Sequence, residues 1–84
     1  MSWRQRASTL AMAVVSIILF LDQEIALATI FGGFFVHGTG EWINHPSVDR
    51  PRKTNWPGML LEIVGVALML YGSYRVAQSL AFFQ

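Results

Sequence analysis

Eighty-four residues, 54% hydrophobic and 13% charged, make one small unit carrying about half the charge of an ordinary soluble domain. So short a chain cannot hide that much apolar surface in a core of its own, because small folds bury only about 60% of their surface; lipid or neighbouring subunits are expected to cover the rest. A net charge of +1 with no basic stripe excludes a nucleic-acid partner, and the lack of cysteine excludes disulfides, thiolate metal sites and thiol nucleophiles.

The first apolar run extends from Leu10 to Val36 and is interrupted by Asp22-Gln23-Glu24. Leu10–Leu21 and Ile25–Val36 are 12 residues each, short of the roughly 20 that a spanning helix needs. The run is therefore expected to cross a bilayer as one helix over about residues 9–36, capped by Ser8 or Thr9, with carboxyl groups at mid-depth. Its 27 residues would reach about 40 Å, longer than a ~30 Å hydrocarbon core, so tilt or a kink at Gly32-Gly33 is expected, with Gly38 as C-cap. Arg4 and Arg6 ahead of the run have the look of a signal-peptide n-region, but the acidic triplet stands where a small-x-small cleavage site belongs.

Ionisable groups inside a membrane helix mark a path, a ligand or a partner. Asp22 and Glu24 are two residues apart and would point about 200° from one another, so they are expected to meet different neighbours. They are read as polar contacts to other subunits, the alternative being a proton or cation site in an oligomeric transporter.

Residues 37–57 are expected to form a polar loop of about 20 residues, because Gly38, Gly40 and three prolines (Pro46, Pro51, Pro57) oppose a continuous helix. Trp42 and Trp56 lie near its ends as interfacial anchors would. His37, Glu41 and His45 recur at i, i+4, i+8, a workable ligand set only if the stretch is helical; no H-E-x-x-H or E-x-x-H pair is present, so no metal is assigned. Gly33-x-x-x-His37 at the end of an apolar segment resembles the small-x-x-x-His pattern of the antenna polypeptides of photosynthetic bacteria. That resemblance covers five residues and implies a tetrapyrrole metal held by His37.

The second span is expected over about residues 58–81, interrupted by Glu62, with Tyr71, Tyr74 and Arg75 near its far boundary. Gly58, Gly65, Gly72 and Ser79 recur every seven residues and mark one small-residue face, on which Glu62 also lies. In the first helix Ala28 with Gly32, and Thr29 with Gly33, repeat at i, i+4. Serines without a nucleophile elbow and the lack of a phosphate-binding glycine loop point away from an enzyme.

The expectation is thus an all-α membrane protein, a two-span hairpin with both termini on one side. Lys and Arg divide three to three between termini (Arg4, Arg6, Arg75) and loop (Arg50, Arg52, Lys53), and the N-terminal charges favour cytoplasmic termini in a bacterial inner membrane. The expected role is an accessory or assembly subunit of a larger membrane complex, redox or photosynthetic, contacting lipid and other transmembrane subunits in a hetero-complex rather than a homo-oligomer.

Overall fold

The computed structural model describes residues 3–45, 51, 53 and 55–82, with side chains as far as residue 80. The chain is all-helical: α1 spans Trp3–Leu21, α2 Ile25–Asn44 and α3 Trp56–Phe82. At ~1.5 Å per residue they measure about 28, 30 and 40 Å. By length and composition, α1 and the stretch Trp56–Leu80 of α3 are long and apolar enough to cross a membrane.

The continuous helix expected over 9–36 is in fact two helices. Both halves reach outward beyond the apolar run: α1 starts at Trp3, and α2 continues through Gly38 and Gly40 to Asn44. The break has recognisable chemistry. Glu24 N–H donates to Leu19 O (2.9 Å) and Gln23 N–H to Phe20 O (3.1 Å), the paired bonds of a Schellman helix end. Gln23 takes the left-handed conformation there, φ 64°, where glycine is the usual occupant. Glu24 then begins α2 at once, its carbonyl accepting from Ala28 N–H at 2.9 Å. Asp22, Gln23 and Glu24 are exposed at this turn and are not buried inside a helix pair.

The helices run antiparallel in a row, α2 in the middle, packed on α1 and on α3, while the described residues of α1 and α3 make no close backbone approach. A helical hairpin is present as the α2–α3 pair, although the two helices long and apolar enough to cross a membrane are α1 and α3. With α1 added, Trp3 and Phe82 lie at opposite ends of the antiparallel helices, where a two-helix hairpin would bring its two ends together. The connection is also shorter than the expected 37–57: it begins at His45 and ends at Asn55, tied back by Lys53 N–H to Asn44 O at 2.7 Å. Residues 46–50, 52 and 54, including Pro46, Arg50 and Arg52, lie outside the described residues. Pro57 falls in the first turn of α3, where its missing N–H costs no helical bond.

The α2–α3 contact is built from glycine. Gly58, Gly65 and Gly72 are buried on the face of α3 that meets α2, where they oppose a second series, Ala26, Gly33 and Gly40, with the same seven-residue spacing. A Cβ on Gly40 would strike Gly58 O, one on Gly33 would lie 2.6 Å from Gly65 O, and one on Gly72 2.8 Å from Ala26 O. Matched seven-residue periods keep two helices facing one another over several turns. Ser79 continues the stripe in sequence but is exposed, because α3 there has run past the start of α2.

Ala28 and Gly32 belong to the opposite side of α2. They face α1: Ser16 Oγ donates to Ala28 O at 2.7 Å, and a Cβ on Gly32 would lie 3.2 Å from Ser16 Oγ. Farther along, Gly38 leaves room for the buried Thr9, whose hydroxyl donates to Gln5 O at 2.8 Å. Thr29 and Thr39 likewise bond the carbonyls of Ile25 and Phe35, so these hydroxyls are satisfied within their own helix.

Candidate functional site

Polar side chains gather at the two ends of the row. At the α2 C-terminal end, the helix that continues past Gly38 carries His37 and Glu41 one turn apart, with His45 as its C-cap. Their i, i+4, i+8 spacing, set aside at a presumed loop, is therefore real in space. His45 Nδ1 lies 3.9 Å from Glu41 Oε1. His37 is turned elsewhere: its Nδ1 is 3.2 Å from the carbonyl of Glu62 on α3. A carbonyl can only accept, so Nδ1 carries the hydrogen, and in the neutral ring Nε2 keeps its lone pair. Among the described residues, no group of three or more metal-binding side chains is arranged around a common point.

Trp42, expected at a loop boundary, sits on α2 with the Arg6 guanidinium 5.3 Å from its ring centroid, a cation–π contact that ties α1 to the end of α2. Trp56 is largely exposed at the start of α3, as are Tyr71 and Tyr74 toward its other end. Glu62 is buried at 9% exposure against Gly40, making it the acidic side chain inside the bundle in place of Asp22 and Glu24. Asn44 is wholly buried against Gly58, with neither amide atom hydrogen-bonded. The sequence reading passed over Asn44 because it stood in a presumed loop.

The opposite end holds Asp22, Gln23 and Glu24 from the α1–α2 turn and Tyr71, Arg75 and Ser79 from α3. Between the start of α2 and α3 lies a cavity of about 310 Å³, lined by Gln23, Glu24, Thr29, Tyr71, Arg75 and Ser79 among others. Gln78 Nε2 donates to Tyr74 Oη at 3.0 Å, an i, i+4 bond along the exposed side of α3.

The Ala26-Gly33-Gly40 series could have been found in the sequence, since it repeats the α3 period; reading i, i+4 pairs in the first segment obscured it. Comparison with protein-family models, with curated proteins and with solved structures finds no match for this chain.

Proposed function

We propose that the chain is an integral membrane protein of three antiparallel spans that serves as an accessory or assembly subunit of a larger membrane complex. The observation that carries this reading is the inversion of burial. Ala28 is the one buried hydrophobic side chain among the described residues, whereas Ile17, Ile18, Phe20, Ile63 and Leu70 are each about 60% exposed or more. Exposed apolar area on this scale marks a surface that lipid or protein covers.

Three spans also break the tie in charge. Arg4 and Arg6 begin α1, and Arg50, Arg52 and Lys53 lie between α2 and α3, so five of the six basic residues belong to one end. Arg75 alone belongs to the other, with Asp22 and Glu24. Under the positive-inside rule the N-terminus and the α2–α3 connection are cytoplasmic, and the α1–α2 turn and the end of α3 face outward, in what we read as a bacterial inner membrane. Cytoplasmic placement of both termini is given up with the two-span topology.

Asp22 and Glu24 stand at an exposed turn, so we rank an oligomeric transporter using either of them below the subunit reading. A second reading is favoured by His37: the carbonyl of Glu62 orients its ring as second-shell partners orient metal-bound imidazoles. With no group of three metal-binding side chains around a common point among the described residues, the metal would arrive already chelated by a tetrapyrrole.

Low-stringency extraction tests the main reading. The chain should co-purify with other transmembrane subunits in fixed stoichiometry, and its deletion should lower the amount of their assembled complex. Recovery as a homo-oligomer alone would sink the subunit reading. An absorbance band near the visible tetrapyrrole region, lost in His37→Ala, would carry the second.

A further inference from the structure

The cavity at the outward end contains two opposite charges that do not neutralise one another. Glu24 enters it from the α1–α2 turn and Arg75 from α3, yet no ion pair joins them and neither has another partner among the described residues. Hydroxyl groups of Thr29, Tyr71 and Ser79 and the amide of Gln23 line the same space.

A cavity of about 310 Å³ suits a small polar group and excludes a folded partner. Its charges specify that group further. A purely anionic ligand would meet Glu24, and a purely cationic one Arg75, so each would have one repulsive neighbour. A ligand carrying both signs a few ångströms apart satisfies both. The guanidinium presents several donors in a plane that matches phosphate oxygens, and the hydroxyls of Tyr71 and Ser79 can donate to the same oxygens, that of Thr29 being engaged by Ile25 O. The carboxylate of Glu24 accepts from an ammonium that still carries N–H bonds, which a quaternary ammonium does not.

We infer that the cleft between the α1–α2 turn and α3 binds the headgroup of a zwitterionic phospholipid with a primary ammonium, phosphate against Arg75 and ammonium against Glu24. The ethanolamine phospholipids have this chemistry. The site's depth agrees with it: Ile25 beside the cavity and Leu70 on α3 are more than half exposed, leaving apolar surface next to the headgroup for acyl chains. The inference rests on the membrane reading above.

The test reconstitutes the full chain into nanodiscs containing ethanolamine, choline or glycerol phospholipid, and measures lipid retained after delipidating exchange by native mass spectrometry. The ethanolamine lipid should be retained over both others. Glu24→Gln should reduce that preference about tenfold and raise retention of the anionic glycerol lipid, and Arg75→Gln should reduce binding of the ethanolamine and glycerol lipids alike. Gain of anionic lipid by Glu24→Gln cannot arise from misfolding, so it stands even where Arg75→Gln is unstable. Water-soluble glycerophosphoethanolamine, added as competitor, should displace little. Displacement as effective as by the lipid would overturn the lipid assignment, as would equal retention of all three lipids, or a wild-type preference for the anionic one. Failure of the chain to enter a bilayer would overturn the membrane reading and this inference together, whereas entry without lipid preference would overturn this inference alone.

Discussion

Gly33 and Gly65 stand in a reciprocal relation across the α2–α3 contact: a Cβ built on either would lie 2.6 Å from the carbonyl oxygen of the other. Neither position can yield by moving a flexible side chain, because the obstacle is backbone. Replacing either with Leu should therefore separate the helices and cost about 1–3 kcal/mol or more. Val64→Leu, one residue away at a position 40% exposed and off the glycine face, should change little. Unfolding in mixed micelles measures all three, and comparable, negligible shifts would remove the contact from the account. Because the pair shares one obstacle, the Gly33→Leu, Gly65→Leu double variant should lose less than the sum of the single losses.

The helix end at Gln23 gives a prediction of opposite sign. A glutamine at φ 64° bears a steric cost that glycine does not. Gln23→Gly should raise stability by up to about 1 kcal/mol, the gain being reduced by the greater freedom of glycine in the unfolded chain. A loss of stability would mean that the glutamine side chain contributes more than its backbone costs.

Asn44 should be replaceable with profit. Its amide is buried without a hydrogen bond to the described residues on either atom, a state that costs on the order of 1–3 kcal/mol. Asn44→Leu keeps the heavy-atom number and branching of the side chain and leaves the backbone carbonyl that accepts from Lys53 N–H in place. The variant should be as stable as the parent or more so. Marked destabilisation would show that the amide has a partner in the assembled protein.

Topology can be read by cysteine labelling, as the chain has no cysteine of its own. Single cysteines at Gln5 and Asn55 should react from one side of the membrane with an impermeant reagent, and those at Gln23 and Gln78 from the other. Gln5 and Gln78 reporting the same side would return the chain to two spans.

Much of this was legible in the sequence. The helical character of the chain, the apolar surface and the Gly58-Gly65-Gly72 face follow from composition and period. The division of the first segment was not legible, for two physical reasons. Gly38 and Gly40 read as helix breakers, yet they are spaces into which Thr9 and Glu62 fit, and packing outweighs the roughly 1 kcal/mol that glycine costs a helix. The stop at Leu21 lacks the glycine that announces a Schellman end, and hydrogen bonds that place Gln23 in a left-handed conformation leave no mark on hydropathy. One misplaced boundary then placed Asp22 and Glu24 within a helix rather than at a turn, and left His37 and Asn44 in a loop.

The arrangement of the helices in a row, with α1 and α3 on separate sides of α2, gives the chain an unusual pattern of tolerance to mutation. In a water-soluble domain the large apolar residues are the fixed ones and the small surface residues drift. Here Ile18, Phe20, Ile63 and Leu70 stand on outer faces, where one aliphatic or aromatic group serves about as well as another. Gly33, Gly40, Gly58 and Gly65 admit not even a methyl group without displacement of a neighbour. Among related chains, should they be compared, the smallest residues will be the ones that do not change.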